Sequence, residues 1–390
     1  MLVYDISDIK TFEKIKNYYS IKIKELCKEE TYIILVGNKT DKENKRKVSQ
    51  NDGLELAEKE NYLFIETSCL NNSNISEAFE KLIEDWNKKK GNKNHFLDEN
   101  EFDKKYKNQG NEGLIGEGVF TQVYKRKIKD TNEFRAIKII DFEKFRNHCE
   151  SNFIINIEEE LHKFKEDRLT EINNMKICSQ GNKNINSVNL YEYFYNEKKF
   201  IIVMELCDNN LNQFLIKRKK GFNKDEIYGI MKQLNRTFRI MVDNNIIHRD
   251  LKLENILVNY ENKQKTKYTI KLCDYGASRK LKRFSQICFS HIGTTYTMAP
   301  EILMDQPYNN KCDLWSLGII IYELFFRSPP FTGKSELALI NSIKSKKKFQ
   351  TTNDKHLDDL ISKLLVMDPK KRINWEDYFN HPFFKKNDEI

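Results

Sequence analysis

The most informative stretch of the sequence is Ile246-Ile247-His248-Arg249-Asp250-Leu251-Lys252-Leu253-Glu254-Asn255-Ile256-Leu257. A second motif, Lys271-Leu272-Cys273-Asp274-Tyr275-Gly276, follows it, and Met298-Ala299-Pro300-Glu301 comes later. Three motifs of this composition, in this order, are not expected by chance in an ordinary globular chain. They indicate a site for chemistry rather than plain core packing.

A glycine-rich turn and a lysine inside an apolar strand precede these motifs. The turn is Leu114-Ile115-Gly116-Glu117-Gly118-Val119-Phe120-Thr121-Gln122-Val123. Glycines let a backbone approach phosphates and offer them N–H donors, although G-x-G is also common in ordinary hairpins. The lysine is Lys138, and a buried lysine needs a carboxylate or a phosphate to remain charged. Glu171 is the expected partner; its rivals on a predicted solvated helix face are Glu158, Glu159 and Glu160.

Together these segments resemble the protein kinase family. The resemblance covers residues 113–384 and implies an α+β, two-lobed fold, with a small β-rich lobe, a large helical lobe and ATP between them. It implies that Lys138, held by Glu171, contacts the α- and β-phosphates, and that Asp250 accepts or orients the substrate hydroxyl proton. Asn255 and Asp274 would hold Mg²⁺. The nucleotide would be covered by Ile115, Gly116, Glu117, Gly118, Val119, Phe120, Thr121, Gln122 and Val123.

The same resemblance places further residues around the adenine. Met204 is the expected gatekeeper, and the backbone of Glu205 and Cys207 would hydrogen-bond the base. The residues expected to sandwich the base are Val123, Ala136 and Leu257. Away from the nucleotide, Glu301 and Arg372 resemble the buried ion pair that ties the A-P-E segment to the C-terminal helices.

Specificity and regulation follow from the same comparison. Lys252 is similar to the serine/threonine version of the catalytic loop, and Thr294 matches the threonine that seats the substrate hydroxyl. Glu254 occupies a position that often recognises a basic residue, so a basophilic preference is a hypothesis. Arg249 before the catalytic aspartate suggests activation-loop phosphorylation by an upstream kinase or by autophosphorylation. The expected phosphosite is Ser290, with Ser285 as the alternative.

Two residues and one interval depart from the family pattern. Thr121 replaces the third glycine of the phosphate loop, and Tyr275 replaces the phenylalanine of D-F-G, adding a hydroxyl that needs a partner. The interval from Lys138 to Glu171 is longer than usual, which predicts an insertion through 140–167. The catalytic loop looks most like those of the calmodulin-dependent and energy-sensing kinases.

Residues 1–86 alternate strand and helix patterns, which indicates parallel βαβ units. Asn38-Lys39-Thr40-Asp41 resembles the guanine-reading N-K-x-D motif of Rab and Ras small GTPases, and Glu66-Thr67-Ser68-Cys69 resembles their E-T-S-A loop. The resemblance implies an incomplete α/β half-domain in which Asn38, Lys39 and Asp41 are vestigial. The chain has no G-x-x-x-x-G-K-[ST] loop, so GTP hydrolysis is not expected. A truncated product is favoured over a degenerate docking module, since a half-sheet exposes a strand edge.

Composition narrows the remaining possibilities. The formal net charge is +9, but no compact basic stripe with interleaved aromatics is present, so nucleic-acid binding is not expected. The eight cysteines never form a C-x-x-C pair, which argues against a structural zinc site. No apolar run is long enough to span a bilayer and no secretory signal is present, so a cytoplasmic protein is expected. Residues 87–112 are rich in Lys, Asn and Gly and predict a solvated linker.

Three functions are compatible with these motifs. The first is an active protein serine/threonine kinase that uses ATP and Mg²⁺ on protein substrates. The second is a pseudokinase scaffold that has lost catalysis through Thr121 and Tyr275. The third is a GTP-dependent switch, which the missing phosphate loop disfavours.

Overall fold

A computed structural model of the chain describes residues 1–26, 31–71, 73–75, 77–79, 81–82, 95–96, 99–106, 113–262, 264, 266–280, 295–345 and 348–385. These residues form two compact units, and the chain passes from one to the other between Asn94 and His95.

The N-terminal unit contains a three-stranded parallel sheet in the order β1-β2-β3. Its strands are β1 (Leu2–Asp5), β2 (Ile34–Asn38) and β3 (Leu63–Thr67). The central strand is an unbroken apolar run because both of its faces are buried. Its helices are α1 (Ile9–Lys14), a π-helical segment (Ile15–Tyr19), α2 (Ser20–Leu26) and α3 (Gln50–Glu60). The predicted α/β half-domain is therefore confirmed.

The second unit begins with a small lobe built on a six-stranded sheet in the order β4-β8-β9-β7-β6-β5. The strands are β4 (His95–Phe96), β5 (Leu114–Glu117), β6 (Thr121–Lys127), β7 (Phe134–Asp141), β8 (Leu190–Tyr195) and β9 (Lys199–Glu205). Two helices, α5 (Phe142–Ser151) and α6 (Ile157–Ser179), follow β7. The insertion predicted after Lys138 is therefore mostly α5 and the first turns of α6.

Part of the predicted linker belongs to this lobe. Strand β4 pairs in parallel with β8, and a short helix, α4 (Glu99–Lys105), follows it. Phe102 and Tyr106 are buried against the sheet, where Phe102 contacts Phe194 edge-on at 5.6 Å. The Tyr106 hydroxyl donates to Glu192, and Lys105 Nζ lies 2.7 Å from the same carboxylate. Residues 95–96 and 99–106 thus differ from the solvated linker that their polar composition predicts, because two aromatic side chains four residues apart pack into one apolar face.

The large lobe is mainly helical, and the two lobes share one extensive apolar core. Helix α10 (Lys311–Phe326) lies at its centre and is buried around almost its whole circumference, which explains why its sequence is apolar on every face. The other helices are α7 (Leu211–Ile216), α8 (Lys224–Asp243), α9 (Pro300–Leu303), α11 (Glu336–Ser345), α12 (Lys355–Leu364) and α13 (Trp375–Phe379). The remaining strands are β10 (Asn209–Asn210), β11 (Ile246–Ile247), β12 (Ile256–Tyr260), β13 (Tyr268–Leu272) and β14 (Arg279–Lys280).

The two-lobed α+β architecture predicted from the motifs is confirmed. Across the residues that the structure describes, none of the helices combines the length and the apolar character needed to cross a bilayer.

Candidate active site

Lys138 is the centre of the site. It lies on β7, a central strand of the small-lobe sheet, with only 8% of its surface exposed. Its Nζ lies 2.6 Å from Glu171 Oε1 on α6 and 2.9 Å from Asp274 Oδ1. Burial alone would lower the pKa of Lys138, but the charges of Asp274 and Glu171 outweigh burial and raise it above its usual value. The lysine is therefore held fully charged between two carboxylates.

Asp274 begins a tight turn, Tyr275–Ala277, and has a left-handed backbone with φ of 59°. The charge of Lys138 holds the pKa of Asp274 well below its usual value, even though burial acts in the opposite direction. A Cβ added at Gly276 would lie 3.2 Å from Asp274 Oδ1 and 3.3 Å from Glu171 Oε2. Glycine at this position thus allows the loop to pack directly against the charged groups.

The hydroxyl added by tyrosine in the D-Y-G turn has a partner. Tyr275 is fully buried, its ring lies 5.4 Å from the His248 ring, and its oxygen is 2.9 Å from Ser187 Oγ. Ser278 Oγ donates to the Tyr275 carbonyl and accepts from Asn174 Nδ2 on α6. The substitution from the family pattern is therefore accommodated within the hydrogen-bonded core.

Two polar side chains of the catalytic-loop motif, Lys252 and Asn255, donate to Asp250. Lys252 Nζ donates to Asp250 Oδ2 at 2.8 Å. Asn255 Nδ2 donates to the same oxygen at 3.0 Å and to the Asp250 carbonyl at 2.8 Å. The Cys273 amide donates to the Asn255 carbonyl at 3.0 Å, which ties this loop to the chain just before Asp274. The sequence motifs at 246–257 and 271–276 thus form one structure.

Asp313 on α10 binds the backbone of the catalytic loop. Its two carboxylate oxygens accept the backbone N–H groups of His248 and Arg249 at 2.8 and 2.9 Å. Burial raises the pKa of Asp313, and the two N–H donors act against that rise. Arg249 itself has φ of 68°, so these hydrogen bonds hold a backbone conformation that a non-glycine residue rarely adopts.

The glycine-rich segment forms the β5–β6 hairpin, with Val119 at its exposed tip. Gly118 N–H donates to the Thr121 carbonyl at 2.7 Å. A Cβ on Gly118 would lie 2.6 Å from Thr121 Oγ1. Threonine therefore fits in place of the third glycine of the phosphate loop because residue 118 has no side chain. The Phe120 ring packs edge-on against Phe145 of α5 at 5.2 Å. The other predicted nucleotide-covering residues of the hairpin are exposed or half-buried: Ile115, Gly116, Glu117, Gln122 and Val123.

Of the residues predicted to contact adenine, Met204 and Glu205 are the last two of strand β9, and Ala136 lies on the neighbouring strand β7. Met204 pairs with Ala136 across the sheet, and Glu205 N–H donates to the Asn189 carbonyl at 2.9 Å. The Glu205 carboxylate lies 3.1 Å from Lys271 Nζ, which fixes its side chain. Burial raises the pKa of the Cys207 thiol to about 12, so the thiol is neutral. Val123 and Leu257 are half-buried.

The structure describes only some of the residues predicted to bind the substrate or to regulate activity. Ser290, Ser285 and Thr294 lie outside the described residues. Glu254 is exposed and accepts from Asn212 Nδ2 at 2.9 Å. The Arg249 guanidinium donates to the Ala277 carbonyl at 2.6 Å and to the Tyr308 hydroxyl at 3.0 Å.

Three acidic rivals of Glu171 lie away from Lys138. Glu158 is exposed and pairs with Arg146 of α5 at 2.6 Å, and Glu159 is exposed as well. Glu160 is half-buried and lies about three helical turns before Glu171 on the same helix. One buried cation was not identified from the sequence: Arg168 Nη1 lies 3.0 Å from Glu171 Oε2. Its spacing of three residues from Glu171 puts both on one helix face, a signal that was available in the sequence.

In the N-terminal unit, the two segments that resemble small-GTPase motifs, 38–41 and 66–69, lie next to each other. Asn38 Oδ1 accepts from Thr67 Oγ1 at 3.3 Å, and Asp41 Oδ1 accepts from Ser68 Oγ at 2.5 Å. Lys39 Nζ lies 2.7 Å from Asp5 Oδ2. Although desolvation raises the pKa of Asp5, hydrogen bonds from Lys39 and neighbouring groups lower it to about 2. The two motifs thus meet at the carboxyl ends of the neighbouring parallel strands β2 and β3.

Residues 110–384 match the family described as the protein kinase domain. The chain belongs to the protein kinase family. Residues 1–88 match the Ras family, in agreement with the predicted small-GTPase resemblance.

Relatives of this protein kinase carry serine/threonine-kinase names. It is 31% identical over 277 residues to serine/threonine-protein kinase TIO of Arabidopsis thaliana, covering 71% of the chain and 19% of that protein. It is 32% identical over 277 residues to serine/threonine-protein kinase atg1 of Dictyostelium discoideum, covering 70% and 38%. It is 32% identical over 276 residues to serine/threonine-protein kinase Nek5 of Homo sapiens, covering 70% and 36%. The chain therefore spans well under half the length of these three relatives, and the prediction of a serine/threonine-type kinase domain is confirmed.

Proposed function

We propose that the chain transfers the γ-phosphoryl group of ATP to serine or threonine hydroxyls of proteins, with Asp250 as the catalytic base. The observation that carries the proposal is the contact of Lys138 with both Glu171 and Asp274, next to the hydrogen-bonded set of Asp250 and Asn255. Phosphoryl transfer depends on positioning and on neutralising developing oxygen charge, and this arrangement provides both.

The nucleotide would lie between the β5–β6 hairpin and the strand that ends at Glu205. We infer that Lys138 contacts the α- and β-phosphates and that backbone groups of Glu205 and Cys207 hydrogen-bond the adenine. Asn255 and Asp274 offer an amide oxygen and a carboxylate, the hard oxygen ligands that suit Mg²⁺ when substrate phosphates complete its coordination. The bound cation would neutralise charge on the phosphate oxygens.

On the substrate side, we infer that Asp250 orients the attacking hydroxyl and accepts its proton. Lys252, which donates to Asp250 Oδ2 at 2.8 Å, is close enough to neutralise the transferring phosphoryl group. Thr294 would seat the hydroxyl and Glu254 would favour a basic residue in the peptide. A peptide-library phosphorylation profile without enrichment for Arg or Lys would remove the role of Glu254.

We also infer regulation through phosphorylation of Ser290 and pairing of that phosphate with Arg249. A phosphate brings about −1.5 to −2 charge and can order a loop against an arginine. Replacement of Ser290 by Ala should then leave activity low, as should phosphatase treatment of the wild type. Unchanged activity in both experiments would contradict this regulation.

The kinase domain is inferred to extend from His95, rather than residue 113, to about residue 384, because β4 and α4 pack with its sheet.

Transfer of labelled phosphate tests the proposal. The wild-type chain, incubated with labelled ATP, magnesium and a generic basic protein, should yield labelled phosphoserine or phosphothreonine, whereas Asp250→Ala should yield almost none. Equal labelling by both proteins would contradict the role of Asp250, and no labelling by the wild type would favour the pseudokinase alternative.

A further inference from the structure

Arg168 occupies an unusual place for a charged side chain. It lies on α6, three residues before Glu171, with only 9% of its surface exposed. Arginine is rarely buried to this extent without paired charges. Its Nη1 donates to Glu171 Oε2 at 3.0 Å, and its Nη2 donates to the Gly276 carbonyl at 3.3 Å. One guanidinium group therefore joins the helix that carries Glu171 to the loop that carries Asp274.

Arg168 also completes the charge balance of the site. Glu171 gives one carboxylate oxygen to Lys138 and the other to Arg168. With Asp274, the group contains two cations and two carboxylates. Without Arg168, Lys138 alone would face two carboxylates, and the second oxygen of Glu171 would lose its charged donor in a buried place.

A chain of rings connects Arg168 to the glycine-rich hairpin. The guanidinium lies over the Phe164 ring at 4.9 Å from its centroid. Phe164 stacks on Phe145 of α5 at 4.0 Å, and Phe120 from the hairpin contacts both rings edge-on at 5.8 and 5.2 Å. A planar guanidinium can stack on a ring and donate in two directions at once, which an ammonium cannot do as well.

Stability alone does not explain this placement. The Nε–H of Arg168 is buried and has no hydrogen-bond acceptor among the described residues. A buried donor without an acceptor lowers stability, and such groups in a native protein need an explanation.

We propose that Arg168 is a positioning residue. It keeps Glu171 directed at Lys138 and holds the turn after Asp274 against α6. It acts through Glu171 Oε2 and the Gly276 carbonyl, and the ring contacts make its position depend on where Phe120 of the hairpin lies. The inference rests on the proposed phosphoryl-transfer function.

Steady-state kinetics of Arg168→Met beside Lys163→Met test it. Lys163 is exposed on the same helix, so its replacement is a matched control. For Arg168→Met, kcat should fall about 10- to 100-fold, the range for loss of one charged hydrogen bond, while KM for ATP changes less than about threefold. Wild-type kcat in Arg168→Met, or a raised KM with unchanged kcat, would overturn the proposal.

A double variant separates positioning from a general loss of structure. If Arg168 acts through Glu171, then Arg168→Met/Glu171→Gln should have the kcat of Glu171→Gln alone within about threefold. Losses that multiply would overturn the proposal. If Arg168→Met does not fold, Arg168→Lys decides, since it keeps the charge but loses the planar fork; it should lose about tenfold in kcat, and wild-type kcat would overturn the proposal.

Amide hydrogen exchange gives a result that does not depend on catalysis. Arg168→Met should speed exchange in the second half of α6 and at Gly276, relative to both wild type and Lys163→Met. Unchanged exchange would overturn this inference. Failure of the wild type to transfer phosphate would instead count against the proposed function, leaving the exchange result to decide the role of Arg168.

Discussion

The hydroxyl of Tyr275 lies 2.9 Å from Ser187 Oγ, and both residues are fully buried. Tyrosine stands here in the Asp274-Tyr275-Gly276 turn where the family pattern has phenylalanine, so its oxygen must find a partner in a low-dielectric region. Ser187 lies in the segment between α6 and β8 and supplies that partner. The departure from the family pattern is thus paired with a second residue that the motif alone does not identify.

Replacement of Tyr275 by Phe should destabilise the protein by about 1–3 kcal/mol, because Ser187 Oγ is left buried without its partner. The ring remains, so kcat should stay within about threefold of wild type. Addition of Ser187→Ala should restore most of the lost stability. Urea unfolding of the two single variants and the double variant measures this; additive losses would contradict a direct pairing.

Replacement of Phe102 by Ala should cost about 3–5 kcal/mol, because this side chain is buried between α4 and the small-lobe sheet. The matched control is Phe153→Ala, since Phe153 is 90% exposed. Thermal melting of the full chain should show a clear loss for Phe102→Ala and almost none for Phe153→Ala. Equal melting temperatures would mean that residues 95–106 are not part of the kinase domain.

The Glu301–Arg372 pair should be a main stabilising contact of the large lobe. Arg372 donates to both carboxylate oxygens of Glu301 at 2.7 Å, and both side chains are fully buried. Arg372→Met leaves Glu301 as an unpaired buried charge and should cost about 3–5 kcal/mol. Chemical denaturation measures this cost. A loss similar to that of a surface ion pair would show that the predicted structural role is wrong.

Stability should fall as the pH drops below neutrality because of His381. Burial lowers the pKa of His381, although Asp359 acts in the opposite direction, and Lys363 and His356 add to the lowering. Its Nδ1 accepts from Phe383 N–H at 3.2 Å, so the neutral ring is the form that fits. Because the folded pKa lies below the unfolded value, this contribution is complete above about pH 6.5 and is lost as pH falls.

Thermal melting at pH 7.5 and 5.5 checks the role of His381. The melting temperature of the wild type should fall between these values more than that of His381→Gln, which cannot titrate. An identical pH dependence in the two proteins would contradict it.

Lys138 on β7 and Asp274 at the start of a turn belong to short motifs that the sequence identifies directly, whereas Glu171 lies on a helix and had rivals in the sequence. Lys138 and Asp274 are 136 residues apart, yet the family pattern identifies them together, and their separation in the structure is 2.9 Å. The contacts of Arg168 with the Gly276 carbonyl and of Ser187 with the Tyr275 hydroxyl join segments that are far apart in the sequence. Only a structure brings those partners together.

The linker prediction differed from the structure for a related reason. Residues 95–106 are polar overall, and average composition hides Phe102 and Tyr106, which cover an apolar face of the sheet. The spacing of four residues is a helix signal, but two aromatic residues alone do not define a helix in sequence. The length of the interval before Glu171 predicts an insertion. The sequence does not predict the ring contacts of Phe145 and Phe164 with Phe120, because these residues lie far apart in the chain.

The role of Asp250 as catalytic base can be measured by single-turnover phosphorylation of a basic protein substrate at saturating ATP and magnesium. Wild type should be compared with Asp250→Asn and with Asp243→Asn, an exposed aspartate at the end of α8 that serves as the control. Asp250→Asn should slow transfer by about 10²–10⁴-fold, whereas Asp243→Asn should retain the wild-type rate. Equal rates for wild type and Asp250→Asn would contradict that role.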